Sequence, residues 1–238
     1  MSSNIRFFSA GPLTVIAIIA LIILVIILIP LLLLGIIGAA FTRMGFSWVA
    51  ALAVVFLMLA GSAVNIPLYR VKREVLRVVH DGTTEFESDT AFSHGQPWVT
   101  NVSLNLGGAI IPIMVSTYLI HQAVLIPGTS LLLPVCTGII LVSGITYLST
   151  RMDPRTGIHV PLIVPALTAL LIAYVVSGGP GATASVSAFV SGVAGTLIGG
   201  NIARLPQVKD LETGDVSIGG AGTFGSVFIC CLLPALIA

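Results

Sequence analysis

Apolar residues occupy long blocks separated by short polar breaks, and the blocks fall at about residues 12–41, 46–69, 98–119, 124–148, 160–176, 183–200 and 216–238. About 20 apolar residues suffice for a helix to cross a bilayer. The pattern therefore predicts an all-α, polytopic membrane helix bundle of seven spans, folded as a single transmembrane domain over residues 1–238. The first block exceeds that length, so it is expected to tilt or to kink at Pro30, which removes a backbone donor. It is also too long for a signal-peptide core of roughly 7–15 residues and is read as a retained span. Its Ile/Leu surface, with few small residues, suits lipid contact.

Between the blocks, Leu68, Val71, Val75, Leu76 and Val79 share a helical face, with Arg70, Lys72, Arg73 and Arg77 around it. This predicts a helical extension of span two, or a surface helix on anionic headgroups. Asp81-Gly82 ends it, and residues 83–96 form a polar, acidic loop.

Charge orients the bundle. Nine of the ten Lys/Arg residues and all nine Asp/Glu residues lie in the N-terminal tail and in loops 70–97, 149–159 and 201–215. Only Arg43 lies opposite. Basic residues near span ends stay cytoplasmic. The N-terminus is thus expected inside the cell and the C-terminus outside, with the chain integral to the cell membrane. Composition agrees: the chain is 8% charged, against about 25% for a soluble domain. The net charge of +1, with no basic stripe, predicts no nucleic-acid partner. The expected partners are the lipid bilayer and either further copies of the chain or another membrane protein. Cys136, Cys230 and Cys231 lie in apolar runs and read as packing residues.

Polar residues within the spans are few and clustered. Asn65 precedes Pro67 at the end of span two, where a capped helix end outweighs a polar site. Asn101, Ser103 and Asn105 recur at every second position and lead into Gly107, Gly108 and Pro112. Irregular backbone at membrane depth needs cover from protein or water, and unwound span starts bind solutes in transporters. Close packing through the glycines is the competing reading. Gly192, Gly195, Gly199 and Gly200 form a small-residue face on span six, beside Thr196 and Asn201. Residues 217–226 hold four glycines together with Ser217, Thr223 and Ser226. Glycine costs about 1 kcal/mol relative to alanine in a helix interior, so this stretch is expected to be non-helical in part, or to touch a neighbouring backbone. The spacing G-x-G-x-x-G occurs at Gly220, Gly222 and Gly225, but without the βαβ unit that would make it a nucleotide site.

Metal and catalytic chemistry find little support. His80, Asp81, Glu85, Glu87, Asp89 and His94 read as solvated loop, and His121 and His159 as helix-end residues. No H-E-x-x-H occurs and no carboxylate lies inside a span. A serine-type site would need a histidine base within reach of Ser226. No cofactor, metal or catalytic residue is expected. The candidate cavity-lining or binding residues are Asn65, Asn101, Asn105, Thr196, Asn201, Ser217, Thr223 and Ser226. The leading expectation is a non-enzymatic small-solute or ion permease, and the alternative is a structural scaffold subunit. A permease should show a cavity reaching Asn105, a scaffold a dry glycine interface.

Residues 65–69, 105–112, 157–165, 195–206 and 217–224, in this order, resemble an uncharacterised family of archaeal and bacterial membrane proteins, domain of unknown function family 1614. The string Ser-Ile-Gly-Gly-Ala-Gly-Thr-Phe at 217–224 is its most specific part. The resemblance implies aspartates at the positions held here by Asn201 and Gly225. A third expectation follows from it: an inactive relative of an intramembrane aspartyl-type protease. In that case positions 201 and 225 should face one cavity.

Overall fold

A computed structural model of the chain describes residues 41–42, 44–73, 76–78, 92–94, 98–126, 130–211 and 214–237, together with residues 19, 23, 34, 35, 37 and 38. Most of span one and the acidic part of loop 70–97, with His80, Asp81, Glu85, Glu87 and Asp89, lie outside them. The described chain is mostly helical, but it also carries strands, which corrects the all-α expectation.

Helix α1 (Trp48–Gly61) starts at Ser47, whose Oγ accepts from the Ala50 N–H at 3.2 Å. It stops eight residues short of the predicted end of span two. Pro67 cannot supply a helical donor and pushes residue 66 into extended backbone, and β-branched Val64 and Ile66 favour that conformation. Strand β1 (Asn65–Arg73) follows. Where the predicted helical extension at 70–80 is described, it is strand: β1 up to Arg73, and β2 (Leu76–Val78), which pairs with β3 (Phe92–His94).

The start of span three is likewise a strand, β4 (Trp98–Asn105), antiparallel to β1 from Asn65↔Asn105 to Arg73↔Trp98. A register shift between Pro67 and Tyr69 leaves Leu68 as the extra residue of a bulge. The start of span seven is β7 (Asp215–Ile218), parallel to β4 from Asn101↔Asp215 to Leu104↔Ile218. The sheet order is β1-β4-β7. All three strands replace predicted helix for one reason: backbone donors and acceptors that a helix would satisfy locally are satisfied by strands distant in sequence. β5 (Arg151–Asp153) and β6 (Gly157–His159) form a hairpin of their own.

After β4 the chain makes one π-helical turn at Leu106–Ile110 and enters α2 (Ile111–Val124). Helices α3 (Leu132–Ser149), α4 (Val164–Val176) and α5 (Ala182–Thr196) follow. A second π-turn, Leu197–Asn201, leads from α5 into a 3-10 segment, Ile202–Asp210. Helix α6 (Phe224–Ile237) closes the described chain. Among the described residues three continuous helical stretches, 106–124, 132–149 and 182–209, are long and apolar enough to cross a membrane. α1, α4 and α6 are apolar but shorter.

Helix α5 is the centre. Nearly all of its residues are buried, and α2, α3, α4 and α6 pack on it. Its small residues make this close approach geometrically available. A Cβ on Gly195 would meet Val142 Cβ at 2.6 Å, one on Gly199 would strike the Ser143 carbonyl, and one on Gly138 of α3 would meet Ser191 Cβ at 2.6 Å. Buried hydroxyls are satisfied within the helix, Ser187 donating to Thr183 O at 2.7 Å and Thr196 to Gly192 O at 2.6 Å. Phe41, at the end of span one, is fully buried against Phe189 of α5, whereas Ile19 and Ile23 are exposed.

The two ends of the bundle differ. The sheet, the β5–β6 hairpin and the turn 219–223 gather at one end. At the other, Met44, Gly45, Gln122, Ile126 and Thr183 surround a cavity of about 540 Å³, so the turn at 44–45, the end of α2 and the start of α5 lie near one another.

Candidate functional site

The alternation along β4 puts Asn101, Ser103 and Asn105 on one face of the sheet and Thr100, Val102 and Leu104 on the other. Register extends this polar face across the strands. Arg70, Asn101 and Asp215 form one row, Pro67, Ser103 and Ser217 the next, and Asn65 with Asn105 the last. Val102, Val216 and Ile218 are buried on the opposite face.

The polar face walls a cavity of about 730 Å³. Thr156, Gly157 and Ile158 of the hairpin and Ala221 of the last turn line it from across the sheet. The turn is held to the hairpin by the Val160 N–H, which donates to Gly222 O at 2.8 Å. Gly222 has φ +84°, and a Cβ there would collide with the Ile158 carbonyl, so only glycine fits both demands.

Within the cavity, Asn101 Nδ2 donates to Asp215 Oδ1 at 2.9 Å, and Ser217 Oγ donates to Asn65 Oδ1 at 2.6 Å. Ser103 Oγ donates to Val216 O at 3.3 Å. The lining is thus carboxamide and hydroxyl, with one cation and one carboxylate on the same row. Such a surface offers donors and acceptors to a small polar molecule. Among the described residues no group of three or more His, Cys, Asp or Glu comes together.

Beneath the cavity lies a closed layer. Asn105 is fully buried: its Nδ2 donates to Ser62 O at 2.7 Å and to Asn65 Oδ1 at 2.9 Å, and its Oδ1 accepts from the Gly108 N–H at 2.7 Å. Asn201 is also buried, its Nδ2 donating to Thr223 Oγ1 at 3.0 Å and its Oδ1 accepting from the Gly219 N–H at 3.2 Å. Between these two carboxamides the backbones of Gly108 and Gly219 touch. A Cβ on Gly108 would collide with the Gly219 carbonyl, and one on Gly219 would meet Gly108 C at 2.6 Å. An Asn at the start of one π-turn, Asn105, and an Asn at the end of the other, Asn201, therefore brace the two sides of a glycine–glycine contact.

The eight candidates from the sequence separate accordingly. Asn65, Asn101 and Ser217 line the cavity. Asn105, Asn201 and Thr223 form the closed layer below it. Thr196 is buried inside the bundle, bonded to its own helix and 3.5 Å from Cys230 Sγ. Ser226 donates to Val160 O at 3.1 Å and Pro161 O at 2.9 Å, tying α6 to the segment after the hairpin. Gly225 faces elsewhere than Asn201: a Cβ at 225 would meet Leu162 Cδ1 at 2.7 Å. Ser103, part of the polar pattern though not among the candidates, also lines it, and Arg70, Asp215 and Thr156 are polar lining residues that the sequence did not single out. The period-two polar pattern at 101–105 was the available signal for the first wall. Arg70 and Asp215 are brought to it only by register.

At the hairpin tip the Arg155 and Thr156 N–H groups donate to Asp153 Oδ1, at 2.8 and 3.3 Å. These bonds, the Arg155 one foremost, hold the Asp153 carboxyl below its ordinary pKa. At the end of α3 the Arg204 guanidinium covers Tyr147 at 4.0 Å and donates to Tyr147 O at 2.5 Å and Thr150 O at 3.4 Å, satisfying carbonyls that a helix terminus leaves open.

The family model described as "Protein of unknown function (DUF1614)" matches residues 59–237, from the end of α1 through α6. No curated protein and no solved structure matches the chain. With well over half of its length matched, including both walls of the cavity and the layer beneath, the chain belongs to the DUF1614 family of proteins of unknown function.

Proposed function

We propose that the chain is a seven-span protein of the cell membrane, N-terminus inside, and that the sheet-walled cavity is the cytoplasmic vestibule of a small-solute permease. The observation that carries this reading is the 730 Å³ cavity with its polar sheet face, directly above the Gly108–Gly219 contact. The placement is supported by charge. The loops that build the sheet end carry nearly all the Lys, Arg, Asp and Glu residues, and basic residues near span ends stay cytoplasmic. The lining favours a small polar solute held by hydrogen bonds. The closed Asn105–Asn201 layer would act as the barrier that opens during transport, and the two π-turns are the irregular helix segments that such movement uses.

Placement is tested with Thr156→Cys and Gly179→Cys in a Cys136→Ser background, since Cys230 and Cys231 are buried. A membrane-impermeant maleimide should reach the two positions from opposite sides, and labelling of both from one side overturns the topology. Transport is tested in proteoliposomes with a panel of labelled sugars, polyols and amino acids. Uptake of at least one, abolished by Ala221→Trp filling the cavity, is the expected result. Absence of uptake for the whole panel removes the permease reading.

Two observations favour a scaffold instead: the cavity stops short of Asn105, whose carboxamide is buried and satisfied in the layer below, and the Gly108–Gly219 contact there is closed. In that reading the chain assembles with further copies of itself or with another membrane protein. The inactive-protease reading draws less support, because side chains at 201 and 225 face different neighbours.

A further inference from the structure

A second cavity, of about 560 Å³ and mixed lining, lies where the end of α3 meets the β5–β6 hairpin, lined by Leu148, Ser149, Arg151, His159, Val160 and Pro161. Arg151 and His159 are direct cross-strand partners, so their side chains stand side by side on one face of the hairpin. The His159 ring is fixed by Thr156 Oγ1, 2.8 Å from Nε2. Among the described residues Arg151 has no hydrogen-bonded or ion-paired side-chain partner. The nearest acid in the hairpin, Asp153, has its Oδ1 taken by the backbone of the hairpin tip.

The surroundings are apolar and outward-facing. Leu148 is 83% exposed, and Leu162 and Ile163, just beyond Pro161, are each at least half exposed. The negative end of α3, which would repel an anion, is offset by Arg204 on the carbonyls of Tyr147 and Thr150. An unpartnered guanidinium in a cavity of mixed lining, bordered by exposed apolar side chains, matches one kind of molecule: an anionic headgroup with acyl chains attached. A guanidinium binds phosphate through paired donors, and Leu148 and Leu162 give the chains a surface.

We infer that this cavity binds the headgroup of an anionic phospholipid at the cytoplasmic rim, with Arg151 on the phosphate. The inference rests on the membrane placement proposed above, which the cysteine labelling tests separately. Full-length protein is purified from nanodiscs of equal phosphatidylglycerol and phosphatidylcholine, and the retained lipid is counted by native mass spectrometry. Phosphatidylglycerol should be enriched, and Arg151→Gln should reduce the enrichment about fivefold, as expected for one basic contact at a membrane surface. Arg151→Lys should keep part of it, and Arg155→Gln, at the exposed tip outside the cavity, should keep all of it. Unchanged enrichment in Arg151→Gln, or an equal loss in Arg155→Gln, overturns the inference. So does an Arg151-dependent rise in thermal stability on adding inorganic phosphate alone to lipid-free protein, which would assign the site to a free anion.

Discussion

Substituting alanine at Gly108 should unfold the chain more readily than substituting it at any open helical glycine. The added Cβ would collide with the Gly219 carbonyl and would stand 3.0 Å from Phe224 Cδ2. The carbonyl belongs to backbone held on both sides: the Gly219 N–H donates to Asn201 Oδ1, and the Gly220 N–H donates to Ser217 O at 3.1 Å. It therefore cannot withdraw without breaking one of these bonds. Overpacking of this kind costs about 1–3 kcal/mol, and an orphaned buried N–H adds about 1–3 kcal/mol. A loss of roughly 2–5 kcal/mol is expected. Gly144 in α3 is the control, because a Cβ there meets nothing within 4 Å. Gly144→Ala should stabilise the helix by about 0.5–1 kcal/mol. The assay is reversible unfolding in mixed micelles with increasing denaturing detergent, followed by circular dichroism. If Gly108→Ala and Gly144→Ala unfold within about 0.5 kcal/mol of each other, the two backbones are not in contact and the closed layer does not exist as described.

Asn105→Ala should cost about 2–4 kcal/mol in the same assay, because it strips the Gly108 N–H of its acceptor and Ser62 O of a donor in a buried site. Asn101→Ala, half-buried at the cavity wall, should cost less than 1 kcal/mol or so; equal losses would mean that the layer and the wall are not distinct. Asp153 gives a pH dependence with a defined sign. Its folded pKa lies below the ordinary 3.8, so its contribution is present above that value and is lost as pH falls through the lower folded value. Asp153→Asn should flatten the acid limb of a stability profile below about pH 4 and leave it unaltered at pH 7. A variant profile parallel to the wild type on the acid side contradicts the hairpin-tip hydrogen bonds.

The sequence by itself determined where apolar helix would lie. The blocks at 98–119, 124–148 and 183–200 contain most of the three long apolar helices, since long unbroken apolar runs have few other folded outcomes. Glycine content also marked residues 217–226 as unable to form an ordinary helix throughout, and they form a strand end, a turn and a helix start. What the sequence did not reveal was strand at 65–73, 98–105 and 215–218, which its apolar blocks and the face at 68–79 led one to expect as helix or loop. Each stretch begins or ends an apolar block, and a helix satisfies its backbone within a few residues. A strand needs a partner, and the partners of β4 lie 25 to 40 residues before it and more than a hundred after. The polar alternation at Asn101, Ser103 and Asn105 carried the strand period, but only pairing with β1 and β7 makes that period favourable. The cavity was illegible for the same reason. Arg70, Asn101 and Asp215 come from three strands far apart in sequence and form a row only through register, a property of the assembled sheet and not of any one segment.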